Sequence, residues 1–167
     1  MDSITGRFRG VSYSNGSNIR VGARVYIGQG TYLDGGYGSG ITIGDGVWIG
    51  EGVYMHGAGG IVIGNNVGIG PHVKILTSTH KIDGVCWDSP IIDNDLVFAP
   101  VRIHDNVDIG VGAIIMPGVE IGEGAMVGAG AVVTKSIFPF AVSAGNPARV
   151  LRYRNVTNGG AGYGGLP

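Results

Sequence analysis

The sequence predicts an all-β fold: a parallel β-helix of triangular cross-section with about five coils and one long inserted loop. Three observations carry this prediction. Residues 101–136 read VRIHDN-VDIGVG-AIIMPG-VEIGEG-AMVGAG-AVVTKS, six hexads in an unbroken run. Each begins with Val or Ala and has an aliphatic third residue: Ile103, Ile109, Ile115, Ile121, Val127 and Val133. A six-residue period is neither the 3.6 of a helix nor the alternation of a flat strand. It suits short strands joined by tight turns and wound about an axis. Glycine supplies 34 of 167 residues, about three times its ordinary share of roughly 7%. It has neither the strict triplet of collagen nor the apolar poverty of a linker, since 44% of the chain is hydrophobic. Finally, the residue after the core aliphatic is Gly in most hexads, but each third hexad departs from it. The true repeat is therefore three hexads, one coil of a triangle.

In chain order, residues 1–18 carry no hexad and are expected to cap the first coil, whose core would otherwise meet water. The β-helix is expected over 19–136. Its first coil places Val21, Ile27 and Leu33 inward, its second Ile43, Ile49 and Met55, its third Ile63, Ile69 and Ile75. Insertions follow only third hexads, so all extra residues leave from one corner. The longest, 79–100 (THKIDGVCWDSPIIDNDLVFAP), has no period, and loops of that length are usually functional. After Ser136 the run Phe138-Pro139-Phe140 is expected to break the coil. Residues 137–154 then form a separate segment, and the Gly-rich 155–167 a mobile tail.

A formal charge of −1 gives no electrostatic reason to expect nucleic acid or an anionic membrane. No run reaches the length of a membrane span, and MDSITGRFRGVSYS lacks the apolar core of a signal peptide. The single Cys86 cannot form an internal disulfide. The cytoplasm is the expected compartment, and Cys86 is read as packing within the loop.

The hexads resemble the hexapeptide-repeat acyltransferases over about residues 19–136. TSTHKIDG, the inserted loop and AVVTKSIFPFAVSAGNPARVLR are most similar to the sugar O-acetyltransferase branch, which includes galactoside and maltose acetyltransferases and polysaccharide-decorating enzymes. The crossover rule alone would favour a right-handed turn; the resemblance implies a left-handed one. It also implies acetyl-CoA as co-substrate, a sugar or nucleotide-sugar acceptor, and homotrimers with active sites between neighbouring prisms.

Attack of a hydroxyl on a thioester requires the hydroxyl to lose its proton near neutral pH, a task for imidazole. The resemblance assigns this role to His80, at the root of the loop. Relatives commonly have an acid directly after this histidine, where this chain has Lys81. Asp83 and Asp108 are the candidate acids to orient the ring. Asp108 stands where relatives have Trp, and Val111 where they often have Ser. By the same resemblance Val111, Ala129, Thr134 and Lys135 match cofactor-contacting positions. Arg149 and Arg152 match basic positions that meet the cofactor's phosphates, for which Arg is well shaped. His56, on the insertion corner one coil before His80, is a candidate acceptor-side residue. The zinc-bearing γ-type carbonic anhydrases share this coil but need three clustered histidines. His56, His72 and His104 are spread over corners and turns, so no metal is expected. Two other functions stand beside sugar O-acetylation: N-acetylation of a nucleotide-linked amino sugar, and a non-catalytic scaffold. A scaffold has no use for a 22-residue loop.

Overall fold

The fold was analysed in a computed structural model, which describes residues 2, 3, 8–86 and 88–155. The expected tail lies outside these residues apart from Asn155, as does part of the expected N-terminal cap. Parallel strands stack into three faces around one apolar axis. The first face holds Ile19–Val21, Ile41–Ile43, Ile61–Ile63, Val101–Ile103 and Glu120–Ile121. The second holds Tyr26–Ile27, Trp48–Ile49, Gly68–Ile69, Asp108–Ile109 and Met126–Val127, and the third Tyr32–Asp34, Tyr54–His56, Lys74–Ile75, Ile114–Ile115 and Val132–Val133. The architecture is a left-handed β-helix.

Register follows the hexads. On the second face Ile27, Ile49, Ile69, Ile109 and Val127 pair in sequence. On the third, Leu33, Met55, Ile75, Ile115 and Val133 do the same. These residues, with the Val and Ala that open the hexads, are buried along the axis. Each large one contributes about 1.5–3 kcal/mol on leaving water. A slip of one residue would turn this row to solvent, which is why the register is well specified. Thr31 stands where other hexads open with Val or Ala, and is fully buried. Its hydroxyl donates to Gly50 O at 3.0 Å and accepts from Val53 N at 3.3 Å, so the polar group stays satisfied.

Two kinds of glycine shape the second corner. Gly112 has φ 68° with open space where a Cβ would stand, so its backbone angle is what requires Gly. Gly110 is crowded: a Cβ there would lie 2.5 Å from Ala129 N in the next coil.

Stacking continues beyond the regular hexads, to about 7 turns. Ser12–Ser14 adds a parallel strand beside Tyr32–Asp34, and Asp2–Ser3 lies antiparallel against Ile19–Val21. At the other end the expected break at Phe138-Pro139-Phe140 does not occur. Ile137 bridges Ile121, Ala141–Ala144 joins the second face beside Met126–Val127, and Arg149–Tyr153 covers it antiparallel. Pro139 is tolerated because it falls at a corner, stacked on Gly122, and not within a ladder. Phe140 takes φ 59°, as Asn106 does at that corner in an earlier coil. No helix among the described residues is long and apolar enough to cross a membrane.

Candidate active site

The inserted loop begins as a second, smaller structure. Ser78–His80 pairs antiparallel with Leu96–Phe98, with His80 opposite Leu96. A buried threonine anchors this ribbon to the prism. Thr77 Oγ1 donates to His56 O at 2.5 Å and accepts from Gly59 N at 2.8 Å, while Thr77 O accepts from Ala99 N at 2.9 Å. The root of the loop is thereby fixed to one strand of the third face and to the turn that follows it.

His80 is half-buried. Its Nδ1 lies 3.2 Å from Asn94 O. A carbonyl oxygen only accepts, so Nδ1 carries the proton and Nε2 keeps its lone pair. The imidazole is thus held in the tautomer that a general base requires. The orienting group is a backbone carbonyl, not either expected acid. Asp83 lines the same depression of about 300 Å³ as His80, with Thr79, Lys81, Ile82 and Val97. No carboxylate among the described residues lies within ion-pair reach of the ring. Asp108 is on the second face, where its carboxylate reaches back over Gly68: a Cβ on Gly68 would be 2.9 Å from Asp108 Oδ1. Within one chain it does not meet His80.

The expected cofactor residues fall into two groups. Val111 and Ala129 are exposed neighbours on the second corner, joined through Gly130 N donating to Val111 O at 2.8 Å. Lys135 and Arg149 are brought together from the last hexad and the terminal strand. They line a cavity of about 250 Å³ with Ser136, Ser143 and Ala148. Thr134 is exposed beside Lys135, and Arg152 is exposed on the terminal strand.

His56 pairs in register with Asp34 of the preceding coil. Its Nε2 is 4.0 Å from Asp34 Oδ2, and its Nδ1 is 3.4 Å from Ser78 Oγ. Ser14 Oγ donates to Asp34 Oδ1 at 2.5 Å, and Gly36 N does so at 2.9 Å. Partial burial alone would raise the Asp34 carboxyl. The Ser14 hydroxyl, the Gly36 amide, nearby His56 and Asn15 outweigh it and hold the group below its ordinary 3.8. Burial, then Asp34 and Tyr32, push the neighbouring Tyr54 hydroxyl up.

The other histidines stand apart. His104 Nε2 meets Glu120 Oε1 at 2.6 Å on the first face, and His72 takes φ 60° at the second corner. Among the described residues no three His, Cys, Asp or Glu side chains are placed to share a metal ion. Cys86 does not pack within the loop: it is exposed, and its thiol donates to Asp88 Oδ1 at 2.8 Å because the short turn 86–89 brings the carboxylate over it.

Comparison with known proteins bears on this arrangement. Residues 100–135 match the bacterial transferase hexapeptide model (six repeats), and 16–56 the hexapeptide repeat of succinyl-transferase. A hexapeptide-repeat-containing acetyltransferase from Vibrio cholerae, solved with acetyl coenzyme A, is 30% identical over 81% of this chain and 70% of that one, with a TM-score of 0.70. The chain belongs to the hexapeptide-repeat acyltransferase family. Among other members, galactoside O-acetyltransferase of Escherichia coli is 38% identical over 95 residues, 57% of this chain and 45% of that enzyme. The chain thus spans about half the length of the curated relatives it matches. An N-acyltransferase from Bacillus cereus, solved with dTDP and 3-hydroxybutyryl-CoA, superposes with a TM-score of 0.78 at 25% identity, over 88% of this chain and 78% of that one.

Four residues of this hexapeptide-repeat protein escaped the reading of its sequence. Asn94 acts through a carbonyl, which any residue has, so its identity carries no signal. Thr77 and Ser78 sit in TSTH directly before the histidine, and a polar pair at the turn places where earlier coils have Gly or Ala was the available sign. Ser14 lies in the cap, whose extra strand no period announces.

Proposed function

We propose that this chain transfers an acetyl group from acetyl-CoA to a hydroxyl of a sugar or polysaccharide precursor by direct attack, with His80 as general base. The observation that carries the reading is the His80 Nδ1 contact with Asn94 O, which leaves Nε2 free to take a proton. The acceptor oxygen forms a bond to the thioester carbon as Nε2 removes the hydroxyl proton. The carbon–sulfur bond then breaks, and the proton passes from Nε2 to the departing thiolate, giving free CoA. No acyl-enzyme is formed, and Cys86 plays no part.

Acetyl-CoA would lie along the second corner past Val111 and Ala129 toward Thr134. Lys135 and Arg149, with Arg152 nearby, would face its phosphates. The acetyl-CoA complex of the Vibrio relative supports this cofactor, and the galactoside enzyme supports a sugar acceptor. A homotrimer would complete the site with a neighbour's residues. Supporting it, the loop presents Ile82, Ile91, Ile92, Leu96, Val97 and Phe98 to solvent, and large apolar side chains gathered on one exposed segment are a mark of protein–protein contact.

The test is to supply acetyl-CoA with a panel of sugars and nucleotide sugars, measure free CoA, and determine whether the product is an ester or an amide. An ester, with no acetylated protein by intact mass when acceptor is withheld, is the expected result. A second reading, N-acylation of a nucleotide-linked amino sugar, is favoured by the likeness to the Bacillus N-acyltransferase solved with dTDP. An amide product would select it.

A further inference from the structure

The row Asp34, His56, Ser78 is not used by the reaction above. Each residue comes from a successive turn of the insertion corner. Asp34 Oδ1 is already occupied by Ser14 Oγ and Gly36 N. Asp34 Oδ2 faces His56 Nε2 across 4.0 Å. That separation is too long for a direct hydrogen bond. It is the right width for one oxygen atom lying about 2.8 Å from each side.

We propose that this gap is a hydroxyl-selective subsite that orients the acceptor sugar beside His80. The inference rests on the sugar-acetylating reading given above. The hydrogen-bond directions support it. Ser78 Oγ can donate to His56 Nδ1, which makes Nε2–H the donor on the other side of the ring. Asp34 can only accept. An oxygen in the gap must therefore accept from Nε2–H and donate to Oδ2, which a hydroxyl does. A phosphate or carboxylate oxygen has no proton to give Asp34, and an ammonium has no lone pair to receive from His56. At neutral pH Asp34 is a carboxylate and so an acceptor, as any ordinary Asp is.

The subsite is also joined to the chemistry through Ser78. Ser78 and His80 are two residues apart in one strand, on the same side of the ribbon. Ser78 meets His56 Nδ1 at 3.4 Å, so the strand that carries His80 is also the one that fixes the His56 ring. A sugar held by one hydroxyl at His56 can present another to His80 Nε2. His56 and Asp34 would be positioning residues, acting through where they hold the acceptor.

The test is a substrate-and-variant series on the full chain. An acceptor that the native protein acetylates is compared with its mono-deoxy and mono-O-methyl analogues. One position should lower kcat/KM about tenfold to a hundredfold when its hydroxyl is removed or methylated, the usual worth of a hydrogen bond to a charged partner. In His56→Leu and in Asp34→Asn the same analogue should be as good as the parent within twofold. The KM for acetyl-CoA and the thermal midpoint should stay near native values. If no single position matters in the native protein, or if its penalty persists in both variants, the subsite is wrong. Should the native protein release no CoA with any sugar, the sugar-acetylating reading fails, and this proposal fails with it. The two failures are told apart by the native protein's own turnover.

Discussion

The coils before the loop and the coils after it share one core and differ in everything outside it. Inward rows run in register from Val21 to Ile121 on the first face, through both regions. Outward, the first coils carry aromatic pairs stacked coil to coil: Tyr26 on Trp48 at 5.8 Å and Tyr32 on Tyr54 at 5.9 Å. They also carry the polar row that ends beside His80. The later coils present a smooth second corner, with Val111 and Ala129 exposed above glycines. The same inward rows thus support two quite different outer surfaces. The two regions differ in the residues that leave the corners, on one corner before the loop and on another after it.

The largest expected effect breaks the comparison on the first side. His80→Ala should lower kcat by about 10²–10⁴, leaving the acetyl-CoA KM near native. A native-like kcat on the best acceptor would remove His80 from the role of base. A smaller effect belongs to the later coils. Lys135→Ala with Arg149→Ala should raise the acetyl-CoA KM about tenfold or more, since each lost bond between charged groups costs about 1.5–3 kcal/mol. The same pair should affect a CoA fragment without phosphates much less. Equal losses on both ligands would place the two cations away from the phosphates. With both outcomes as expected, the coils before the loop set kcat and those after it set cofactor affinity.

Much of the fold was legible in the sequence, for a physical reason. A solenoid's core repeats locally, so Ile103, Ile109 and Ile115 announce their inward direction within a dozen residues. The corner from which the loop leaves was legible too, because insertions break the period. Asp34 and His56 were visible as departures from Gly at equivalent positions, though not as partners. The clamp at Thr77 and the carbonyl of Asn94 were not legible. Both depend on how the loop returns, with Ala99 N reaching Thr77 O and Leu96 opposite His80. The end of the coil was misread because Phe-Pro-Phe looks like a terminator, yet its proline and its left-handed phenylalanine fall on a corner.

Thr77 offers a way to sharpen the contrast between loop and prism. Thr77→Val keeps the shape and removes the hydroxyl that donates to His56 O and accepts from Gly59 N. Two part-buried backbone groups lose a partner, at up to about 1–3 kcal/mol each where water does not replace it. The thermal midpoint should fall. Because the loop's root is what loosens, kcat should fall further than the acetyl-CoA KM rises. A uniform loss of both would mean that the clamp serves the prism as a whole and not the placement of His80.

The smallest effect compares one carboxylate from each region under acid. Asp34 precedes the loop and Asp105 follows it, and both are held below the ordinary 3.8. For Asp105 the main cause is the Asn65 amide, then the Asn65 side chain. Asp45, Asn65 and Asp105 each accept an amide from the coil before, as a ladder along the first corner. A carboxyl depressed on folding adds stability above its unfolded value, and that stability is lost as pH falls through the folded value. Both groups therefore stabilise the protein at neutral pH and lose that contribution progressively as pH falls below about 3.8. Asp34→Asn with Asp105→Asn should lower the thermal midpoint slightly at pH 6 and flatten its decline toward pH 3, so that the native and variant curves converge in acid. The shift stays small because the Asp34 side chain is 24% exposed and solvent screens such groups. Parallel curves over that range would show that neither carboxylate couples folding to protons. Convergence in the Asp105 variant alone would locate the acid sensitivity in the corner ladder and leave the Asp34 row to its role at the acceptor.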